Sequence, residues 1–387
     1  MKVLYDYQAF YMQRFGGVSN CFVRLIEKLP EDVHFHIAVC ECNNIHLNES
    51  KLGPYPPALQ NEYEFIIEGH YKLKRLLYEF YSHHFPGRTS MGRNIKCSIE
   101  ALKKGDFDVF HPTFFNPYFL KYLNGKPFVL TVHDMISEIF HLPENKQSVW
   151  KKELIMKANH IIAVSEQTKQ DLINMMNIDE SMISVIYHGV SDNDNFNSES
   201  APLVNVKYIL FVGGRDAYKN FMPMMRNLIP VFQAYPELHL VCTGPDFTTN
   251  EELFFQQHHV QDRIIHLSPS DEGMRNLYEH ALCFIFPSLY EGFGIPILES
   301  WQANCPTLLN HTSCFPEIAK DAAIYFQLDD NSSNLTETIE MFLRMEDKDR
   351  EALLVRQAER LKYFSWEKSA KELYEVYKKV IDEHHGK

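Results

Sequence analysis

Short apolar runs alternate with stretches of helical spacing along the whole chain, and most of these runs show no period-two alternation. An unbroken apolar run bounded by turn residues suits a strand covered on both faces, as in a mainly parallel sheet packed between helices. In the first half the runs are "KVLYDY", "HFHIAV", "FDVFHP", "FVLTVHD", "IIAVS" and "ISVIYHG". After a polar stretch from Ser191 to Pro202 that reads as a linker, the pattern restarts with "KYILFVGG" and continues through "LHLVCTG", "RIIHLS", "LCFIFPS", "PTLLN" and "AAIYF". The alternation predicts two doubly wound α/β units.

Length agrees with that division. The 387 residues exceed the ~100–200 typical of one domain, and the expected units are residues 1–195 and 203–365, followed by a terminal amphipathic helix over 366–387. A net charge of −13 argues against a nucleic-acid partner, whose phosphates call for a basic face. The eight cysteines are scattered, and Cys40 and Cys42, the one close pair, lack the second pair of a structural zinc site. Reduced thiols follow. "MKVLYDYQAF" has too short an apolar run and too early an acid for a signal peptide. No run approaches the ~20 apolar residues of a membrane span, so a cytoplasmic location is expected.

Both halves open alike, with a strand, a Gly-Gly pair and a helix. In "RFGGVSNCFVRLIEKLP", Gly16 and Gly17 precede a Ser19 cap and an amphipathic helix ended by Pro30. In "FVGGRDAYKN", Arg215 and Lys219 follow Gly213 and Gly214. Glycine lets a backbone approach a phosphate, and Arg and Lys neutralise one. Neither loop is a GxGxxG or a P-loop, and ordinary tight turns explain each alone. Asp192 and Asp194 in the linker have the spacing of metal-binding acids, but linker composition produces that pattern by itself, so no metal site is assigned.

Residues 286–306, "FPSLYEGFGIPILESWQANCP", place Glu291 and Glu299 eight positions apart across a glycine-containing turn. The segment reads strand, turn, helix, with Pro296 preset for a first helical turn and Pro306 beyond its end. Glu291 then lies in the turn and Glu299 in the first helical turn, where the helix dipole alone would favour an acid.

Taken together, "FPSLYEGFGIPILE" with the preceding "LYEHALCF", "GGRDAYKN", "FGGVSN", "TVHD", "VSEQTKQDL", "VIYHGV" and "SCFPEIAKDAAIYF" resemble the retaining glycosyltransferases of the GT-B fold, family four. The resemblance covers nearly the whole chain and is weakest between Asn43 and Asp106. It implies two Rossmann-like domains facing across a cleft, with the terminal helix crossing back to the first. A nucleotide-diphosphate sugar would be held mainly by the second domain. Glu299 matches the residue that accepts ribose hydroxyls and Glu291 the one that contacts the transferred sugar. Gly292, Phe293, Gly294 and Ile295 would line diphosphate and sugar, Arg215 and Lys219 match the diphosphate-binding pair beside Gly214, and His133 matches a histidine approaching the sugar. Gly16 and Gly17 would border the diphosphate and acceptor. No metal or other cofactor is implied.

"TVHDMI" inclines the resemblance towards mannosyltransferases using GDP-mannose, with a UDP-sugar donor or a catalytically inactive binding subunit as alternatives. The acceptor would be a glycan or a lipid-linked sugar in surface polysaccharide synthesis. From Tyr71 to Lys104, eight Lys and Arg residues face only Glu79 and Glu100, with aromatics interleaved. That excess marks a candidate peripheral contact with anionic lipid; a solvated helix pair is the simpler account.

Overall fold

The computed structural model describes residues 1–58, 80, 84, 86–190 and 201–386. Among them, a strand forms within each of the apolar runs named above. In the first half these are β1 (Lys2–Tyr5), β2 (His34–Ile37), β3 (Val109–His111), β4 (Val129–Val132), β5 (His160–Ala163) and β6 (Ile183–Val185). The second half contributes β7 (Lys207–Phe211), β8 (Leu238–Thr243), β9 (Ile264–Leu267), β10 (Cys283–Phe286), β11 (Thr307–Asn310) and β12 (Ile324–Phe326). Most strands stop before the C-terminal end of their run, where the chain turns into the loop that carries the polar residues; β11 and β12 continue to the end of theirs, and β5 begins one residue ahead of its run, at His160.

In the first half, β2-β1-β3 and β4-β5-β6 form two parallel ladders whose facing edges meet at a Phe110–Phe128 bridge. The second half is one parallel sheet in the order β12-β11-β10-β7-β8-β9. Strand order reverses between β7 and β10. At such a switch point the loops leaving the two strands diverge to opposite faces and open a crevice at their carboxyl ends. The Arg215–Lys219 and Glu291 loops follow these two strands.

After β1 and a short helix, Gln8–Met12, a longer helix runs from Gly17 to Glu27, with Gly16 rather than Ser19 at its N-cap. The side chain of Gln13 accepts from the Ser19 N–H at 3.0 Å, serving a donor near the helix start and letting the helix begin two residues before Ser19. Ser19 instead donates its hydroxyl to the Gly16 carbonyl at 3.0 Å.

The terminal helix, Trp366–His385, begins behind a Ser365 cap and packs Trp366, Leu373, Val376, Tyr377 and Val380 into the same core as Val3, Tyr5 and Phe22 of the first half. Val190 and Ser365 form a bridge where the chain passes between the halves twice. Deep in this core the Tyr377 hydroxyl lies 2.8 Å from that of Tyr5 and 2.6 Å from His111 Nδ1, while His111 Nε2 lies 2.9 Å from the Thr131 hydroxyl.

The polar stretch with Asp192 and Asp194, and the segment with Lys72, Lys74 and Arg75, lie outside the described residues. Further along, Arg93 turns inward to grip the Glu41 carboxylate at 2.5 and 2.8 Å, fastening the Ser90–Lys104 helix to the loop after β2. Lys96 lies 3.7 Å from Glu100. All eight cysteines are free thiols. No helix among the described residues is long and apolar enough to cross a membrane.

Burial holds His111 neutral, lowering its pKa from 6.5 to about 3. Between those values the unfolded chain binds the proton that the folded chain refuses, so stability rises with pH across the window and is fully present above 6.5. Thermal unfolding should therefore show a midpoint falling as pH drops below 6.5. In His111→Gln that acid-side slope should weaken by up to about one proton per molecule.

Candidate active site

The sequence places Glu291 in a loop that must turn sharply from β10 into the next helix. Gly294, at φ +90°, makes that turn in a region that side-chain-bearing residues rarely adopt. The helix then runs from Ile295 to Gln302 with Pro296 in its first turn. Glu299 is thus one turn further in than expected, because Ile295 and Pro296 already occupy the first helical positions. It is an exposed residue whose carboxylate accepts from the Tyr278 hydroxyl at 3.3 Å. Local desolvation raises its pKa, and the Tyr278 bond opposes the rise.

Lys219 and Glu291 meet across the switch point, with Nζ 2.7 Å from Oε1 and their side chains 18% and 12% exposed. Ser288 donates to the same carboxylate oxygen at 2.7 Å, and Ser313 bonds the Glu291 backbone at both its N–H and its carbonyl. The ammonium also lies 5.8 Å from the centre of the Phe286 ring. A cation and an acceptor-only group are thereby fixed side by side at the start of a helix whose N-terminal N–H groups favour anions.

Arg215 takes a different place. Its Nε donates to Glu251 at 2.8 Å, Nη2 donates to the carbonyls of Pro245 and Asp246 at 2.5 and 2.6 Å, and its plane lies 4.6 Å from the centre of the Phe247 ring. Nη1 is buried with no hydrogen-bond partner among the described residues. Glu251 also accepts from the Thr248 N–H and hydroxyl in a capping box, so Arg215 ties the loop after β7 to the helix after β8. Gly214 sits beside this turn, and a Cβ there would touch only the Asp216 carboxylate, at 3.4 Å.

The first half closes over the Glu291 loop. A Cβ on Gly292 would overlap the carbonyl oxygen of His133, and one on Gly17 would meet Ile295 Cδ1 at 3.4 Å. Gly16 lies beside these contacts, against the Gln13 side chain. The His133 ring stacks on His188 at 5.9 Å and 11°, and its Nε2 is buried with no hydrogen-bond partner among the described residues. Desolvation lowers the His133 pKa to about 4, with Asp134 opposing, so the ring is neutral at pH 7. Phe293, expected to act through its backbone, also wedges its ring between the halves, 4.8 Å from His188 and 5.7 Å from Phe364.

Lys219, Glu291, Gly292, Ile295, His133 and Gly17 are thus brought together, Glu299 stands one turn behind, and Arg215 is held on Glu251. Sequence reasoning missed Glu251, Ser288, Ser313 and His188. His188 lies inside the quoted "VIYHGV", Ser288 inside "FPSLYEGFGIPILE" and Ser313 at the start of "SCFPEIAKDAAIYF", whereas Glu251 lies in none of the quoted motifs.

Two Rossmann-like units with a composite site at the second unit's switch point define the GT-B architecture. HepE from Anabaena, solved with UDP and glucose, superposes with a TM-score of 0.68 at 15% identity, over 98% of this chain and all of its own. Residues 15–194 match the family described as Glycosyltransferase Family 4, and residues 192–360 that described as Glycosyl transferases group 1. The chain belongs to glycosyltransferase family 4.

Among curated relatives, the O-antigen chain mannosyltransferase RfbU of Salmonella typhimurium is 28% identical over 53% of this chain and 58% of its own length. The GDP-mannose:cellobiosyl-diphosphopolyprenol alpha-mannosyltransferase of Xanthomonas oryzae pv. oryzae is 26% identical over 58% of this chain and 60% of its own. The chain thus spans a little under two thirds of each of these relatives.

Two substitutions test the geometry. Gly292→Ala forces apart backbones already in contact, and should lower stability by about 1–3 kcal/mol, read as a fall in Tm. Glu251→Ala strands a guanidinium that is 5% exposed, and should cost about 3–5 kcal/mol in denaturant unfolding.

Proposed function

We propose that the chain is a retaining mannosyltransferase that moves a mannosyl group from GDP-mannose to a glycan or lipid-linked acceptor in surface polysaccharide synthesis, at the cytoplasmic face of a membrane. The observation that carries this reading is the Lys219–Glu291 pair at the crevice between β7 and β10, faced by His133 from the other half. The mannosyltransferase relatives support the donor and the pathway class. A UDP-sugar is the alternative donor.

In this reading the Lys219 ammonium and the N–H groups of Phe293, Gly294 and Ile295 meet the diphosphate, stabilising the charge that develops as it leaves. Glu291 accepts sugar hydroxyls and Glu299 the ribose hydroxyls. Neutral His133 contacts the sugar through Nε2. Arg215 serves the diphosphate only after leaving Glu251, which makes Lys219 the principal cation. The bond from the anomeric carbon to the phosphate oxygen breaks, the acceptor oxygen attacks the same face, and the departing phosphate oxygen takes the acceptor's proton. We assign no metal to these steps.

Thermal unfolding with GDP, UDP, ADP and TDP, each with magnesium and with EDTA, tests the reading. GDP at about a hundred times its Kd should add roughly 2.7 kcal/mol to native stability, equally in both conditions. Lys219→Ala should abolish that shift and slow turnover far more than Arg215→Ala. A response to UDP alone selects the alternative donor, and a response to none favours an inactive binding subunit.

A further inference from the structure

One helix of the first half, Glu166–Met176, touches the second half at three places around the Glu291 loop. At its N-terminus the Glu317 carboxylate accepts from the backbone N–H groups of Glu166 and Gln167, at 2.7 and 3.1 Å. In the first turn, the buried Thr168 hydroxyl lies 3.5 Å from the Gly292 carbonyl. A turn later, Asp171 accepts from the Tyr290 hydroxyl at 2.7 Å, its other oxygen being held by the Gln167 side-chain amide at 2.9 Å.

Tyr290 directly precedes Glu291 and is 5% exposed. The residues on either side of Glu291 are therefore gripped by the opposite domain, Tyr290 by Asp171 and Gly292 by Thr168 and His133. The restraints from its own domain, through Ser288, Ser313 and Lys219, act on Glu291 itself. A phenol donating to a carboxylate is a charge-assisted bond, and burial of the tyrosine removes the water that would replace its partner. Opening the cleft severs the first set of restraints and leaves the second.

We propose that Asp171, acting through Tyr290, is a positioning residue for Glu291, so that this carboxylate reaches its working place only when the two domains are closed. The inference rests on the reading of Glu291 as the group that grips the donor sugar. It ties closure to sugar recognition and leaves nucleotide recognition, which lies within the second domain, independent of it.

The test uses the full chain and the variants Tyr290→Phe, Asp171→Asn and the double variant. Nucleotide affinity is read by thermal shift with GDP and UDP, and turnover by release of nucleotide from GDP-mannose and UDP-glucose in water. The expected result is nucleotide affinity unchanged in all variants, and kcat for donor hydrolysis lowered roughly ten- to hundredfold in each single variant. The double variant should be no slower than the slower single one, because both changes remove the same charge-assisted bond. A purely structural role would instead lower Tm and nucleotide affinity together. If Tyr290→Phe unfolds, Asp171→Asn, which keeps shape and the Gln167 contact, decides. Wild-type kcat in the variants, or losses that multiply in the double variant, overturn the inference alone. A wild type that neither binds nucleotide nor turns over overturns the reading of Glu291 and this inference with it.

Discussion

The contact between the Gly292 backbone and the His133 carbonyl sets what the rest of the site can be. No side chain fits there, so the loop after β10 and the loop after β4 touch main chain to main chain. That contact brings the Glu291 loop of one half against the His133 backbone of the other. It also explains why Phe293 is buried: a loop pressed this close to the other domain has its next side chain driven into the junction, against His188 and Phe364. Each half by itself is a layered α/β unit with its own cores; the site exists where they meet.

The covalent path reinforces this arrangement. The chain passes from first to second half after Val190 and returns before Trp366, and the two passages lie side by side at the Val190–Ser365 bridge. The returning helix then anchors in the first core, where Tyr377 links Tyr5 to His111. At that bridge the described residues of the two crossings are held together.

The strands were legible because a strand buried on both faces leaves an unbroken apolar run, and that run survives in the sequence whatever its partners are. The Glu291 loop was legible because strand, turn and helix are contiguous, so the elements that position the carboxylate are themselves quoted in order. What could not be read depends on partners far away in the chain. Arg215 and Lys219 are four residues apart and chemically similar, yet Arg215 turns to Glu251, 36 positions on, while Lys219 turns to Glu291, 72 positions on. No local pattern separates those fates. The start of the Gly17–Glu27 helix was misplaced for the same reason, since Gln13 reaches forward to Ser19 from outside the helix.

In the free protein each cation of the second domain's crevice already has a carboxylate partner, Glu291 for Lys219 and Glu251 for Arg215. On the reading proposed above, an entering diphosphate would exchange partners instead of meeting bare charges, and the ion pairs keep the site from holding an uncompensated ion in partly buried surroundings. The two exchanges differ in consequence. Withdrawing Arg215 from Glu251 breaks a link between two loops of the same domain and frees a carboxylate that faces its own capping box. Drawing Lys219 towards phosphate releases Glu291, an acceptor-only group, beside the place where sugar hydroxyls would stand. If Lys219 and Glu291 act as proposed, binding the phosphate would free the acceptor that the sugar needs. On the reading proposed above, a nucleotide without its sugar would leave that carboxylate with the Ser288 hydroxyl but without the ammonium, so the proposed site would favour the whole nucleotide sugar over its parts.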